Sequence, residues 1–540
     1  MNLQRVFTVF IIFIDKKHYF FKNMLELLNF FAKYSIIRHT IFERKRKMKP
    51  FFKIISLILC IILLLPLTAC GNNDDAYIYF QLDELPRTLD PQTAKSDVEL
   101  LISQNLYEGL MRFDENGKLQ CGVAESYKKQ GLTYTFKIRK DAKWKNGEKL
   151  TANDFEFAFK RALSFDTAAP YASLLYSIKN GKEINSGDLI NLELGVKAID
   201  DQTLKIELCY DDPDFLKILT LPITMPCNEE FFLTCKGKYG LDTDFTLSNG
   251  SYRLVKWSKE IFGIRLYKNK EYAGDFTAKN AAVFISYNKD LSATDTLLQD
   301  DTDIAFVKSN QIEQLKQNGI KMIGTQNTVW FLTLSNKLPQ NIRKAFAILA
   351  NSEIYSFTLT NGVSPANSIF PPSLGTSVGA SGMSTYNLDT AKSLYANAIK
   401  QLPDKKLPND IKLYYYDNGF SKNMVTAIVG HWQNNLGAFI NIEGVSSPTV
   451  LESQLKEQSY YMSIFPVTVN SPSASEYLSK FGIDYTNGDL TQIQTSLLSS
   501  TTLIPLAFES KIIAYSELLS NVKIQNGTSL DFAFIIKADD

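Results

Sequence analysis

The chain has 540 residues, 45% hydrophobic and 21% charged, with a formal net charge of +1. Domains of about 100–200 residues make two to four domains or lobes the expectation, and the balanced charge, with no basic stripe in the body, argues against nucleic acid as a partner. Six cysteines without a C-x-x-C pair and only three histidines argue against zinc ribbons, thioredoxin motifs and histidine-rich metal sites, so no metal and no cofactor is expected.

The first recognisable element starts at Met48, "MKPFFKIISLILCIILLLPLTAC". Lys49 and Lys53 form a positive head, and Ile54 to Leu65 is an apolar run short of the roughly 20 residues that a membrane helix needs. Pro66 and the small residues at 68–69 favour cleavage over a retained anchor helix. Leu67-Thr68-Ala69-Cys70 resembles the lipobox of bacterial lipoproteins, which implies that the Cys70 thiol takes a diacylglycerol and becomes the new N-terminus. Two acyl chains hold stably, since each buried CH₂ contributes about 0.8 kcal/mol. Residues 48–69 are therefore expected to be a signal peptide and 70–75 a flexible tether. A signal peptide belongs at the start of a chain, so residues 1–47 fit poorly. "ERKRK" (43–47) can be written in purine-only codons and reads as a translated ribosome-binding site, with Met48 the true start; the competing reading is a basic extension.

Strand and helix patterns then alternate. "YIYFQL" (77–82) has strand composition. Ser96 and Glu99 have capping-box spacing before "LLISQNLYEGL", with Gly109 as the stop. "DENG" (114–117) reads as a hairpin turn, and "TYTFKIR" (133–139) alternates with period two. "WKNG" (144–147) supplies another turn, and Thr151 caps "NDFEFAFKRAL", apolar at helical spacing. Polar loops near 364–387 and 401–410 read as surface insertions. Cys227 and Cys235 stand either as a small disulfide loop or as buried thiols. Such alternation over this length predicts an α/β protein with more than one sheet.

These residues carry a resemblance. "RTLDPQTAKSDVELLISQNLYEGLMRFDENGKL" (87–119) and "AESYKKQGLTYTFKIRKDAKWKNGEKLTANDFEFAFKRAL" (124–163) look like the opening of the extracellular solute-binding proteins of peptide-type ABC transporters. "SNGSYRLVKW", "LYKNKEY", "NIRKAFAILANSEIYSFTLTNGVSPANSIFPP", "HWQNNLGAFINIE" and "LIPLAFES" follow in the family's order. The resemblance implies a two-lobed periplasmic-binding-protein-like α/β fold with hinge strands. Lobe I would comprise 76–97, 222–325 and 504–540, with an extra subdomain at 98–221, and lobe II 326–503. It further implies a monomer that captures oligopeptides or a related small solute in the cleft, delivers them to the permease subunits of an ABC transporter, and is no enzyme. A lipid tether on the outer face of the membrane would keep such a catcher concentrated beside its transporter, and closure would be a hinge motion.

In the family one cleft wall is a strand ending near "D-Y-x-(E/D)-P", whose aspartate pairs with the peptide amine; an extended peptide adds to such an edge through its main chain. The matching stretch here is "SIFPVTVNSPSASEYL" (463–478), with Pro472 as the anchor. The aspartate position falls on Thr468, which with Val467 beside it is expected to meet the ligand, and a neutral hydroxyl lacks the charge-assisted bond, roughly twice as strong. Pro466 has no N–H to donate. A slip of register brings in Asn470 or Ser471, also uncharged, so a free amine would need a carboxylate elsewhere, with Asp417 and Glu476 as candidates. Tyr107, Trp330 and Phe465 are the expected aromatic cleft residues; the alternative for each is core packing. Two other functions fit less well: a peptide sensor or non-peptide solute binder on the same fold, and a secreted serine hydrolase using Ser377 in "GTSVG" with Asp389, Asp417 and His431. That motif needs a strand before it and a helix after it, whereas Pro371-Pro372 precede it and a flexible "GASGMSTYN" follows.

Overall fold

The structure is a computed structural model, and it describes residues 76–538 apart from 83, 258–262, 289, 377, 410, 448–449, 452–460, 484, 486–487 and 526–528. The signal segment, Cys70, the tether and Ser377 lie outside the described residues. Among the described residues, no helix is long and apolar enough to cross a membrane.

Strand β1 (Tyr77–Leu82) enters the core with Ile78, Phe80 and Leu82. Helix α1 (Asp97–Leu106) follows with a complete capping box: Ser96 Oγ accepts the Glu99 N–H, and the Glu99 carboxylate accepts the Ser96 N–H. It ends at Leu106, where Tyr107 turns extended, not at Gly109. Gly109 answers a different need, because a Cβ there would lie 2.5 Å from the Leu219 carbonyl oxygen. The "DENG" turn joins β2 (Met111–Phe113) to β3 (Leu119–Cys121), with Gly117 at φ +75°.

Strands β4 (Ala124–Gln130), β5 (Thr133–Ile138), β6 (Val196–Asp200) and β7 (Thr203–Glu207) form a separate antiparallel sheet in the order β4-β5-β7-β6. Helix α2 (Ala152–Leu163) packs on it, burying Phe155 and Phe159 in one cluster with Phe136 and Trp144. Its amphipathic spacing explains the packing: the apolar residues recur on one face.

The large sheet also takes β8 (Tyr252–Trp257), β9 (Ile264–Lys268), β10 (Ala282–Tyr287), β11 (Ile304–Val307), β12 (Lys321–Leu334), β13 (Val363–Pro365), β14 (Lys412–Tyr416), β15 (Asn441–Val445), β16 (Met462–Thr468) and β17 (Leu503–Tyr515). Its order is β15-β14-β16-β12-β17-β11-β1-β10-β9-β8, with β13 beside β17. Two members are unusually long: β12 has 14 residues and β17 has 13, against about 5–6 for an ordinary strand. They pair with each other along most of their length and tie the β1/β8–β11 half to the β13–β16 half. These are the crossing strands of a two-lobed α/β fold.

The second half carries α3 (Gln340–Leu349), α4 (Leu388–Ile399), α5 (Ser421–Leu436) and α6 (Leu490–Ser499). One face of its sheet packs Trp330, Leu332 and Ile464 against Phe346 and Trp432; the other packs Val329 and Phe331 with Phe370 and Tyr477. The segment 364–387 is thus not a mere surface insertion. Ile369 and Phe370 are buried core residues, and Gln494 of α6 pins the segment with all of its amide. Cys227 and Cys235 are free buried thiols rather than a disulfide, and burial pushes the Cys227 thiol up to about 12, which makes it inert.

Candidate functional site

A small pocket of about 40 Å³ lies where the two halves meet. The first half contributes α1 through Asp97, Leu101 and Gln104, the segment Leu221–Ile223, and Phe306 of β11. Tyr171 and Leu174 come from a short turn of helix beyond α2, Lys511 from the crossing strand β17, and Asn470 from the loop after β16. The wall is mixed: Leu101, Leu174, Leu221 and Ile223 give apolar area, and a few polar groups converge on it.

Asn470 Nδ2 donates to the Tyr171 hydroxyl at 3.3 Å, and that hydroxyl donates to the Lys95 carbonyl at 3.1 Å, so one polar chain bridges the halves beside the pocket. Burial pushes the Tyr171 phenol up to about 12, which keeps it a neutral donor. Lys511 Nζ lies 2.8 Å from Asp97 Oδ2 and 4.7 Å from the centre of the Phe306 ring.

The expected site residues separate into groups. Asn470 lines the pocket. Phe465, Val467 and Thr468 all lie on β16, which pairs with β12 over Met462–Thr468 but with β14 only over Met462–Ile464. From Phe465 to Thr468 the outer edge of β16 therefore has no neighbouring strand among the described residues. Proline is tolerated in a strand where its nitrogen meets an unpaired edge, and Pro466 falls in this stretch. Phe465 is half-buried and Val467 packs in the core with Val329. Thr468 Oγ1 shares a 2.9 Å hydrogen bond with Thr328 Oγ1, and its carbonyl accepts from Lys480 Nζ at 2.7 Å.

Tyr107 and Trp330 sit in cores. Tyr107 is 2% exposed with its hydroxyl 3.5 Å from that of Tyr239. Trp330 lies on the crossing strand β12, is fully buried, stacks on Tyr416 and donates its indole N–H to Glu509 Oε2 at 2.7 Å. Burial raises the Glu509 carboxyl, partly offset by that bond. Of the two carboxylates considered for the missing charge, Glu476 is 7% exposed and paired with Lys480 at 3.2 Å, and Asp417 accepts the Gly419 N–H at the end of β14. The charges in the pocket are instead Asp97 and Lys511, which motif matching passed over. A signal did exist: Glu509, Ser510 and Lys511 form a polar run inside a mostly apolar strand, "LIPLAFESKIIAY", in the manner of residues held there for a reason.

His431, the base of the hydrolase alternative, lies in α5 with its ring against Tyr386 and Asn435, and burial lowers its pKa. Among the described residues, no group of three or more His, Cys, Asp or Glu side chains could hold a metal ion.

Two α/β lobes on shared crossing strands, with a pocket at their junction, form the architecture of a two-lobed binding protein. Residues 118–489 match the middle region of the bacterial extracellular solute-binding proteins, family 5, and the chain belongs to that family. It is 29% identical over 418 residues to the dipeptide-binding protein DppE of Bacillus subtilis, covering 73% of this chain and 76% of the relative. It is 28% identical over 444 residues to the oligopeptide-binding protein OppA of the same organism, covering 76% and 81%. The substrate-binding domain of an oligopeptide ABC transporter from Bacillus anthracis superposes with a TM-score of 0.67 at 24% identity, over 86% of this chain and 99% of that one. The family is one of solute binders, not of enzymes.

Proposed function

We propose that the protein is the substrate-binding component of an ABC importer, that it captures peptides in the pocket between its lobes, and that a lipid on Cys70 holds it at the outer face of the membrane. The observation that carries the peptide reading is the outer edge of β16 at Phe465–Thr468, which has no neighbouring strand among the described residues and lies two residues before Asn470 of the pocket. A strand edge offers main-chain groups to any extended peptide whatever its side chains, which suits a general peptide catcher. The relatives named for dipeptides and oligopeptides support the same ligand class. In this reading lobe I is 76–97, 222–325 and 504–540 with the subdomain 98–221, lobe II is 326–503, and the monomer docks on permease subunits after closing.

Native mass spectrometry of protein purified from its host tests the reading. A ladder of co-purified peptide masses is expected. A single non-peptide mass would overturn it.

A further inference from the structure

One face of the large sheet is covered over β11 and open over β1, β10, β9 and β8. Register puts Tyr77 and Tyr79 of β1 on the same face as Ala282 and Phe284 of β10, Tyr267 and Arg265 of β9, and Arg253 and Lys256 of β8. Gln81, also on this face, pairs with Ala305 of β11, which packs in one cluster with the short helices Ala293–Leu298 and Ile312–Gln317. Away from those helices Tyr77 and Tyr79 are each 43% exposed, and Arg253 and Lys256 are exposed. The solvent face of a half-buried sheet is ordinarily polar, but this one is built of rings. Tyr77 stacks on Phe284 at 5.2 Å, Tyr79 and Tyr267 meet Phe284 edge-on at 5.4 and 5.9 Å, and the Arg265 guanidinium lies 5.2 Å from the centre of the Phe284 ring. The four strands together carry four basic residues and no acidic one. Asp303, before β11, is neutralised by Lys537 at 2.8 Å, and that ammonium lies 5.5 Å from the centre of the Tyr79 ring.

We propose that this aromatic and basic face lies against the membrane when the protein is tethered. Tyr77, Tyr79 and Tyr267 enter the headgroup layer, and Arg253, Lys256 and Arg265 meet the phosphates of anionic phospholipids. The inference rests on the lipid on Cys70 proposed above. Chain length supports it: Cys70 and Tyr77 are seven residues apart, at most about 25 Å of fully extended chain. Tyr77 is itself a member of the face, so the tether ends on the surface that docks. A tyrosine ring is apolar with a wet hydroxyl tip, the chemistry enriched where bilayer meets water. Cations with no carboxylate among them are drawn to an anionic surface once they come within about 8 Å, the screening distance at physiological salt. The tether supplies the proximity, so a weak contact suffices. A second copy is a poorer occupant, because two such faces would bring like charges together with no acid on these strands to meet them.

Hydroxyl-radical footprinting of the protein purified from its host membranes, in detergent and then in vesicles of lipid alone, tests this. In vesicles of phosphatidylcholine and phosphatidylglycerol in equal parts, labelling of Tyr77, Tyr79 and Tyr267 should fall relative to detergent. Phe165 and Phe439, exposed elsewhere, should keep theirs. Labelling should return in pure phosphatidylcholine vesicles, and in the mixed vesicles at about 1 M salt, where charges are screened beyond about 3 Å. Each basic side chain at an anionic surface favours contact about fivefold. Arg253→Glu should therefore lower the docked-to-free ratio by about fivefold or more, and Lys128→Glu, the same charge change on the separate sheet of β4, should leave it unchanged. Equal labelling in detergent and in mixed vesicles would overturn the proposal. So would protection that persists in phosphatidylcholine and at high salt and ignores Arg253→Glu. Protection that grows with protein concentration in detergent would give the face to a second copy and overturn it too. Intact mass separates the two readings: a chain without diacylglycerol on Cys70 ends the anchor reading and this one with it, whereas lipidated protein without the footprint ends only the assignment of this face.

Discussion

Single side chains in this protein are committed by burial more than by their chemistry. Trp330 has the aromatic surface of a cleft residue, yet its strand position places it inside, where its N–H serves Glu509. Trp330→Phe keeps the ring and deletes the donor, which strands a half-buried carboxylate. A loss of about 1–3 kcal/mol in urea unfolding is expected, and adding Glu509→Gln to that variant should recover part of it. Asp154 is a second case. It completes the capping box of α2 with Thr151, but burial dominates and raises its carboxyl to about 6. Its folded pKa is above the unfolded value of 3.8, so the folded state keeps a proton that the unfolded chain has released. Stability from this group is fully present below the unfolded pKa and is lost as pH rises through about 6, with a slope of at most about 1.4 kcal/mol per pH unit. Asp154→Asn should therefore gain on the native protein between roughly pH 4 and 6 and show a level difference above that, measured by denaturation at a series of pH values.

Elements show where local pattern suffices and where it does not. The capping box at Ser96, the helix start at Thr151 and the turn at Gly117 were legible because each is a contact over three or four residues. The segment 364–387 was misread as a surface insertion because its Pro, Gly and Ser content describes its backbone and says nothing of what covers it. Its anchor is Gln494, more than a hundred residues on. The side-chain oxygen accepts from Ser368 Oγ at 2.7 Å and the Ile369 N–H at 3.0 Å, and the amide donates to the carbonyls of Gly379 at 2.9 Å and Ser381 at 2.8 Å. Gln494→Leu leaves these groups unpaired in a buried setting. We expect a loss of roughly 2–4 kcal/mol and new protease cleavage within 370–384, which limited proteolysis would detect; an unchanged digest would contradict the clamp.

At the scale of the whole molecule, one sheet runs through both lobes and, among the described residues, only β12 and β17 carry it across. Motion of one lobe against the other must therefore bend or twist these two strands, and the polar chain from Asn470 through Tyr171 to Lys95 is what such a motion would break and remake. Small-angle scattering should show a smaller radius of gyration on adding leucyl-leucine, and Asn470→Ala should weaken the ligand-bound, closed form. The lipid anchor proposed at Cys70 would act independently of ligand binding. Cys70→Ser should move the protein from the membrane fraction to the medium while calorimetry on the released protein shows unchanged peptide affinity.

By itself the sequence determined the alternation of strands and helices, the main helix starts, and, through an ordered set of short motifs, the family and its two-lobed fold. All of these depend on neighbours in the chain or on a pattern spread along its whole length. The pairing of Asp97 with Lys511, the withdrawal of Tyr107 and Trp330 into cores, and the edge at Phe465–Thr468 that no strand covers among the described residues were decided only by tertiary structure. The physical reason is distance along the chain. Asp97 and Lys511 are 414 residues apart, so no local periodicity can bring them together. Which aromatic residue faces a ligand and which faces a core is settled by what packs over it.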